Sequence, residues 1–572
     1  MIKRILRFTV IAAFVAGLPL AAAAGNTTKK VKVLKAGVAG FQAPARTFSE
    51  DELQPWTGMP MDRSFEKLGS GSQSPARVPA SHVPKPAAMG VMQAPPVLGF
   101  DGLTVLEQGL VSGFVVEPPD QALAVGNGFV LEGVNLAIRV YEASTGAALA
   151  PAKNLNNFFG LPANAFTSDP KAYYDAQTQR WFVTILEIDA DFNAAHTMIA
   201  VSQTNDPTGA YNIYGVDMTL LGFPGCPCFG DQPLIGADAN GFYINTNQFS
   251  LVTGHFVGTV IIAVDKAALA AGAGPINGQG FLLTSNVFPV FYSLQPATTP
   301  PGGTFETAQG GTEYLMGSLD DFNALTNQIV VMALTNTGSL STSPDLTLHQ
   351  VLLPSQVYGP PPAAQQPLVP VSQYDAVLPL AGFLRSVKFN AHEELTDSND
   401  DRMAQVVFAD GHLFSALGTV VQTANAAPRS GVAWFAVTPG FDGGGQLTAS
   451  MANQGYLAVN NQSVTYPSIG MNAAGDGIMS FTLVGPGFNP SAAYAPIDIN
   501  GAGKVRLLAQ GIKPDDGFSG YQPWGYRVGR WGDYSAAVAD ETGAIWVATE
   551  YIPAQPRHLF GNWGTRISVV TP

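Results

Sequence analysis

The feature that most limits how this chain can fold is a unit of strands and turns that recurs along most of its length. Each copy opens with a polar residue, often Asp, beside a Pro or a Tyr. A short apolar strand follows, then a turn with Asp, Asn or Gly, and then a strand with aromatic residues. A unit that recurs in the same internal order predicts repeated supersecondary modules packed side by side.

Six copies of this unit are clear and a seventh is weaker. The clear copies open at Pro118–Asp120, Asp169–Pro170, Gly230–Pro233, Asp401–Arg402, Tyr466–Pro467 and Trp531–Ser535. The weaker copy opens at Gly310–Gly317 and continues into the strand-like segment Gln328–Ala333. A four-stranded module needs about 40–50 residues, so the wider spacing between some copies indicates inserted loops.

The repeats predict an all-β fold, and specifically a β-propeller with seven blades. The chain contains 62 Gly and 43 Pro, and only 12% of its residues are charged, which suits many short strands joined by tight turns. Generic hairpins in a sandwich or a barrel are the alternative. The recurring Asp-Pro or Tyr-Pro opening favours the propeller.

The last copy is one strand short of a four-stranded module. Its strand signals lie near residues 535–539, 544–551 and 565–571, after which the sequence stops. The segment Val97–Leu106 precedes the first copy and has the composition of a strand. We therefore expect it to pair with the last copy and close the ring, which would protect the sheet edges.

The N-terminus has the pattern of a secretory signal peptide over residues 1–24. A basic start precedes the apolar run Phe8–Leu20, and three small residues follow at Ala22–Ala24. A membrane anchor is the alternative, but the apolar run is shorter than a bilayer span of about 18 residues. We expect an exported protein, secreted or periplasmic, with no membrane insertion after the signal peptide is removed.

The remaining chain divides into a tail and the repeat domain. Residues 25–95 include the Pro- and Ser-rich stretch Ser70–Pro86 and show no sustained periodicity. Such a composition predicts an extended or disordered tail. The propeller is expected to occupy residues 96–572, where the only helical pattern of note is a short turn at Lys266–Ala271.

The charge of the chain limits its partners. The formal net charge is −14, and removal of the signal peptide with Lys3, Arg4 and Arg7 makes it −17. A field of that sign repels nucleic acid and anionic membrane surfaces. We therefore expect no nucleic-acid partner, and we expect cations to be attracted.

The two cysteines lie two residues apart, at Cys226 and Cys228. Export makes a disulfide between them plausible. The ring would be small, so it would pin a loop and add little global stability. A redox-active pair normally has two intervening residues, and no further metal ligands are indicated nearby.

The opening residues of the repeats are the strongest candidates for a binding site. In a propeller the innermost strands start around one mouth of the central channel, so their first side chains converge there. Several carboxylates at one mouth repel one another unless they are paired or bound to a cation such as Ca²⁺, and Arg180, Arg402, Arg527 and Arg530 could act as counter-ions. In the alternative view each Asp caps its own turn and braces the neighbouring module. The candidate site residues are Asp120, Asp169, Asp231, Asp401, Arg402 and Asp533.

Other sequence motifs inform the fold more than the chemistry. The segment Ala539–Trp546 is similar to the Asp-box turn of sialidases, with Ala539 in place of Ser and Glu541 where Asp is expected. Such turns lie far from the active sites of those enzymes. The sequence contains no G-x-S-x-G nucleophile elbow and no phosphate-binding G-x-x-x-x-G-K-[ST] loop. No catalytic residue is identified, and we lean towards a protein without enzymatic activity.

Four groups of motifs together resemble a family of exported bacterial β-propeller proteins, with a more distant likeness to sialidases. The resemblance covers roughly residues 97–572 and implies the fold and export, but it carries over no established catalytic residue. WD40 and kelch repeats fit poorly, because there is no Trp-Asp dipeptide and no periodic Gly-Gly. The motifs are Pro118–Asp120 with Ala124–Gly126 and Val134–Asn135, Asp169–Pro170 with Tyr174–Asp175 and Arg180–Phe182, Cys228–Asp231 with Gly236–Tyr243, and Arg530–Ser535 with Asn562–Arg566.

These observations support one functional hypothesis and two alternatives. The first hypothesis is that the protein binds a glycan, a peptide or a surface component at the channel mouth, with Ca²⁺ as the only cofactor considered. The first alternative is a sialidase-like or other glycan-active hydrolase. The second is an extracellular scaffold.

Overall fold

A computed structural model describes residues 27–42, 47–55, 80–95, 97–285, 289–319, 325–367, 395–424, 426–520 and 528–572. The predicted signal peptide and most of the Pro- and Ser-rich stretch lie outside these residues. Strands dominate the described chain, as the repeats predict. Among the described residues, no helix has the length and apolar character needed to cross a membrane.

Most strands, numbered in chain order, form antiparallel groups of four in which neighbours along the chain pair with one another. The groups are β6–β9 (Ala122–Gly126, Phe129–Val134, Ala137–Glu142, Lys153–Asn154), β10–β13 (Phe166–Asp175, Arg180–Ile188, Ala195–Ser202, Ala210–Asp217), β14–β17 (Cys228–Ala237, Gly241–Ser250, Phe256–Asp265, Ile276–Thr284), β18–β21 (Gln295–Thr298, Thr312–Ser318, Thr326–Thr335, Thr347–Tyr358), β23–β26 (Val406–Ala409, His412–Val421, Arg429–Phe441, Leu447–Leu457), β27–β29 with β31 (Ser463–Met471, Gly477–Gly485, Phe488–Asp498, Val505–Ala509), and β33–β35 with β4 (Ala536–Ala539, Ile545–Tyr551, Gly564–Val570, Gly99–Thr104).

The remaining elements are short, apart from the first strand. The other strands are β1 (Thr27–Gly40), β2 (Gln54–Pro55), β3 (Val91–Gln93), β5 (Phe114–Val115), β22 (Leu395–Thr396), β30 (Gly501–Ala502) and β32 (Val528–Gly529). The helices are α1 (Val105–Ser112), α2 (Leu155–Phe159) and α3 (Lys266–Ala270), and single 3₁₀ turns lie at Glu50–Glu52, Ala80–His82, Ala308–Gly310, Thr337–Ser341 and Phe518–Gly520. The helix α3 agrees with the turn of helix expected at Lys266–Ala271.

In four of the groups, the turn between the first two strands is held by an Asp or Asn side chain, namely Asp175, Asp238, Asn472 and Asp540. In the last group Asp540 accepts hydrogen bonds at Oδ1 from the backbone N–H of Thr542 (2.8 Å) and Ala544 (3.2 Å), and at Oδ2 from Nε1 of Trp546 (2.9 Å). The residue that braces the Asp-box-like turn is therefore Asp540, one position before Glu541, which stands where the Asp-box pattern has its Asp. Glu541 instead accepts from the backbone N–H of Asn127 in the first group (2.9 Å).

The core lies between consecutive groups, because both faces of their strands are covered. Strand β27, for example, is buried along its whole length. Between the second and third groups the rings of Phe182 and Phe242 stack with centroids 4.9 Å apart. The first group packs against the last in the same way, with Leu123 in one apolar cluster with Trp546 and Ile567. Burial of such side chains contributes about 1.5–3 kcal/mol each, so these layers are the main source of stability.

The segment expected to complete the last group does pair with it. Strand β4 runs antiparallel to β35, with Phe100 opposite Ile567 and Asp101 opposite Arg566. The strand ends at Thr104, whose hydroxyl accepts from the backbone N–H of Glu107 and caps helix α1. The residues after Thr104 are helical because this capping box supplies partners for the free N–H groups of the first turn.

Two expectations need correction. Residues Thr27–Gly40, placed in the tail without regular structure, form strand β1, which pairs with the outer strands β13 and β17 of two neighbouring groups. Backbone pairing with two exposed edges compensates for the polar composition of this segment. The weak repeat also begins earlier than expected: its first strand is β18 at Gln295–Thr298, and the segment Thr312–Ser318 is its second strand.

Candidate functional site

The first strands of all these groups line one cavity, here called the central cavity. It encloses about 790 Å³, including its open part. Its wall consists of Gln121–Val125, Lys171–Tyr174, Ile235, Gln295, Thr298–Pro301, Gln405, Val407, Gly470–Met471 and Ala536–Ala539. Strands β6, β10, β14, β18, β23, β27 and β33 each contribute at least one of these residues.

A repeated bulge explains why the opening residues lie at one end of these first strands. The regular register breaks at Asp169-Pro170, at Gln232-Pro233 and at Tyr466-Pro467. In each case the residue before the proline has a positive φ, between 51° and 54°. Proline has no N–H to donate to the neighbouring strand, and a left-handed residue before it turns the chain out of the ladder. The Asp-Pro and Tyr-Pro openings are therefore the structural signature of this bulge.

Three of the predicted aspartates meet near the start of these first strands. One carboxylate oxygen from each of Asp120, Asp169 and Asp533 lies within 4.8 Å of the other two. We call these three residues the acidic cluster. Asp169 lies in the first strand of the second group, and Asp120 and Asp533 lie just before the first strands of the first and last groups.

Asn135 and the backbone hold the acidic cluster together. Nδ2 of Asn135 donates to Oδ2 of Asp120 (2.7 Å), and its Oδ1 accepts from the backbone N–H of Asp169 (2.8 Å). The backbone N–H of Asp533 donates to Oδ1 of Asp120 (2.5 Å). One amide side chain therefore joins the first two groups, while a backbone donor joins the first group to the last.

The surroundings of Asp169 disfavour its ionisation. Burial raises the pKa of Asp169 well above its usual range, and the charges of Asp231, Asp120 and Asp533 raise it further. The carboxyl groups of Asp169 and Asp231 are also joined by a hydrogen bond. Two carboxyl groups in such contact share a proton because they cannot both ionise at ordinary pH.

Lys171 is the nearest ammonium group to the acidic cluster on the cavity wall. Its Nζ lies 3.0 Å from the centroid of the Tyr534 ring. Burial lowers the pKa of Lys171 to about 7, against the opposing effect of the charges of Asp120, Asp169 and Asp533. Lys171 therefore changes its charge near neutral pH, and it neutralises the cluster only partly.

The structure places the remaining predicted residues differently. Arg402 forms two hydrogen bonds with Asp400, from Nε to Oδ1 (2.7 Å) and from Nη2 to Oδ2 (2.6 Å), and it donates from Nη1 to Gln232 (2.7 Å). Asp401 is fully buried and is not one of the carboxyl groups that meet in the acidic cluster. Of the five aspartates expected to converge, Asp120, Asp169 and Asp533 do so. Asp231 is hydrogen-bonded to Asp169, and Asp401 lies apart from the cluster.

The arginines expected to act as counter-ions do not all lie near the aspartates. Arg530 approaches Asp533 at 3.4 Å. Arg180 donates instead to the backbone carbonyls of Thr178 and Gln179. Arg527 lies outside the described residues. Cys226 and Cys228 are joined by a disulfide. Cys228 is the first residue of β14, and Cys226 lies two residues before it.

A second set of acidic residues, which sequence reasoning missed, lies close by. We call Glu117, Asp515, Asp516 and Glu550 the buried acid group, since none is more than 9% exposed. Burial raises the pKa of Asp515 to about 7 and that of Asp516 to about 6. No local pattern marks these residues, because their segments meet only when the first and last groups pack together.

Glu550 connects the buried acid group to the acidic cluster. Burial raises its pKa well above its usual range, and the charges of Asp515 and Asp120 raise it further. Neither carboxyl oxygen of Glu550 has a hydrogen-bond partner among the described residues. In the same group, Glu117 accepts hydrogen bonds from the backbone N–H (3.1 Å) and the hydroxyl (2.5 Å) of Ser519.

The acidic cluster contains the residues that could hold a cation. Three carboxylates with oxygens at this separation form the oxygen-only donor set that suits Ca²⁺. The neighbouring Lys171 supplies an alternative positive charge from the protein itself. The same carboxylates can also accept hydrogen bonds from the hydroxyl groups of a ligand.

Comparisons with known proteins leave the family open. No family model matches the chain, and no curated protein matches it. Among solved structures, a Hadza microbial sialidase aligns with a TM-score of 0.34 at 9% identity, over 79% of this chain and 75% of its own. An α-L-arabinanase from Penicillium chrysogenum gives a TM-score of 0.32 at 9% identity, over 83% and 98%. An exo-β-1,3-galactanase from Clostridium thermocellum gives 0.27 at 10% identity, over 83% and 99%. Scores this low assign neither a family nor an activity to this chain.

Proposed function

We propose that this protein is an exported seven-bladed β-propeller, closed by β4, that binds a neutral saccharide at the acidic end of its central cavity. Support for the architecture comes from the groups of four strands and from the cavity that their first strands share. The contact between the first and last groups, through Leu123 and Trp546, supports closure of the ring.

The observation that carries the binding proposal is the central cavity, whose wall at Gln121 and Lys171 adjoins the acidic cluster. The wall is mostly apolar with a few polar groups, as such sites require. Carboxylates accept hydrogen bonds from hydroxyl groups, which a saccharide presents in large number.

The charge around the cavity favours a neutral ligand over an acidic one. Among the described arginines, the two nearest the opening residues are already paired, Arg402 with Asp400 and Arg530 with Asp533. No set of free arginines is brought together there in the described part of the chain to bind a carboxylate. The net charge of −14 for the whole chain also repels anions. A sialic acid ligand is therefore disfavoured.

Isothermal titration calorimetry with lactose, maltose and cellobiose tests the proposal, with 3′-sialyllactose as the acidic counterpart of lactose. We expect at least one neutral disaccharide to bind, and sialyllactose to bind at least tenfold more weakly than lactose. Asp169→Asn should abolish binding, and Asp191→Asn, at an exposed loop residue, is the matched control. Failure of every neutral sugar to bind would overturn the proposal, and release of monosaccharide would show that the protein is a hydrolase.

A further inference from the structure

Strand β1 concentrates positive charge on a protein that is acidic overall. Lys29, Lys30, Lys32 and Lys35 lie within seven residues, whereas the whole chain has a formal net charge of −14. The segment Thr27–Gly40 contains no acidic residue. Charges more than about 8 Å away are largely screened at physiological salt. The local charge of β1 therefore decides which partners this part of the surface attracts.

Neighbouring carboxylates do not neutralise these lysines. The residues opposite Lys30 and Lys32 on β17 are uncharged amides. The Nζ atoms of Lys29 and Lys35 each donate to a backbone carbonyl at 2.7 Å. Across the ranges of the chain that the structure describes, none of the four lysines forms an ion pair. The strand therefore presents its positive charge to the solvent.

The alternation of β1 fixes which side chains face outward. Val31 and Val33 are buried, at 6% and 0% exposure. Because successive side chains of a strand point to opposite faces, Lys30, Lys32 and Leu34 project into the solvent. Side chains on one face of a strand are about 6.7 Å apart. The outward face of β1 therefore presents two ammonium groups followed by an apolar side chain.

Strongly exposed apolar side chains accompany the lysines. Leu34 is 56% exposed and Val38 is 58% exposed. Leu220, which is 69% exposed, lies beside Lys29, whose Nζ donates to its carbonyl (3.2 Å). Ammonium groups next to exposed apolar side chains suit a membrane surface, where anionic headgroups lie beside acyl chains.

We propose that β1 binds the surface of a bilayer that contains anionic phospholipids. The ammonium groups of Lys30 and Lys32 pair with lipid phosphates, while Leu34 and Val38 enter the boundary between the headgroups and the acyl chains. The strand lies on the outer strands β13 and β17, whereas the first strands of the groups line the central cavity. This inference is therefore independent of the proposed saccharide site, and it concerns binding to a membrane surface without a spanning segment.

Two other roles for the lysines are less consistent with the strand. An anionic polysaccharide would also attract them, but it offers no acyl chains for Leu34 and Val38 to contact. Lysines on an edge strand also protect it against pairing with other chains. That role alone gives no reason for exposed apolar side chains on the same strand. The combination of charge and apolar exposure favours the lipid surface.

Co-sedimentation with lipid vesicles tests the proposal. The vesicles consist of phosphatidylcholine alone or of phosphatidylcholine mixed with phosphatidylglycerol. The protein is the exported form recovered from cells, in the same processed state for every variant, so that its N-terminus contributes equally. We expect the unchanged protein to bind the vesicles that contain phosphatidylglycerol more tightly than the others, and this preference should weaken as salt is added.

Substitutions on β1 assign the contact. Lys30→Gln and Lys32→Gln should each weaken binding to the phosphatidylglycerol vesicles about fivefold, as expected for a lysine near an anionic surface. Leu34→Ala should weaken it about threefold. The matched control removes two exposed lysines outside β1, with Lys85→Gln and Lys504→Gln in one protein. It changes the net charge by the same amount as the two β1 lysine substitutions together and should leave the binding unchanged.

Three results would overturn the proposal. The first is that the unchanged protein binds neither kind of vesicle, or binds both equally. The second is that the protein without Lys30 and Lys32 binds as tightly as the unchanged protein while circular dichroism shows both to be folded. The third is retention on heparin without binding to vesicles, which would assign the lysines to an anionic polysaccharide.

Discussion

Replacement of Gln121 by Met should stabilise the protein, although the residue is polar and buried. Two atoms of its amide are buried without partners among the described residues. Each such group costs about 1–3 kcal/mol relative to its hydrated state. Methionine has a similar shape and no group to desolvate. Allowing for partial relaxation around the amide, we expect the free energy of unfolding to rise by about 1–3 kcal/mol in the absence of ligand.

The same substitution at Gln279 should have the opposite effect. There Nε2 donates to the carbonyl of Leu346 (2.9 Å) and Oε1 accepts from its N–H (2.8 Å). Methionine would leave both backbone groups buried and unpaired, at a cost of about 2–4 kcal/mol. Two identical substitutions of buried glutamines should therefore differ by several kcal/mol, well beyond the roughly 0.5 kcal/mol scatter of unrelated sites.

Urea unfolding followed by tryptophan fluorescence measures both effects. The free-energy change follows from the shift of the midpoint multiplied by the slope of the transition. We expect a higher midpoint for Gln121→Met and a lower one for Gln279→Met. A lower midpoint for Gln121→Met would refute the reasoning, since it would show that the amide is satisfied within the protein.

Three further predictions follow from the hydrogen bonds and the buried acids. Asp540→Ala should lower the free energy of unfolding by about 1–2 kcal/mol, because Asp540 accepts hydrogen bonds from two backbone N–H groups and from Trp546. Glu541→Ala is the control and should have a smaller effect. Equal losses for the two variants in urea unfolding would contradict the assignment of Asp540 as the residue that holds the turn. Asn135→Ala should cost about 2–4 kcal/mol, since its amide bridges the first two groups; a loss below 1 kcal/mol would show that the acidic cluster holds without it. The pKa of Glu550 in the folded protein is raised well above 4.5. As the pH rises above about 4.5, the unfolded chain loses the proton of Glu550 while the folded protein still keeps it. The stability that the protonated Glu550 provides at low pH is therefore lost as the pH rises. The Tm measured by calorimetry should therefore fall as the pH rises above about 4.5, and Glu550→Gln should flatten that slope. An unchanged slope counts against the buried proton.

Much of the local structure could be predicted from the sequence, because it depends on residues close together in the chain. The alternating apolar strands, the turns with Asp or Asn, and the helix at Lys266–Ala270 all appear where the pattern indicates them. The pairing of the segment after Val97 with the last group was also anticipated, from the missing strand. The pattern failed where a segment takes its structure from distant partners: Thr27–Gly40 becomes a strand only because β13 and β17 offer free edges.

The composition of the site, by contrast, was decided by the tertiary structure. The repeated openings nominated five aspartates, but which of them meet depends on how the first strands are arranged around the cavity. Asp120, Asp169 and Asp533 converge, whereas Asp401 does not join them. The same applies to Gln121, because whether a buried amide finds a partner among the described residues depends on its surroundings and leaves no trace in the neighbouring sequence. Short-range hydrogen bonds and strand alternation are encoded within a few residues, while convergence and burial depend on contacts between segments hundreds of residues apart.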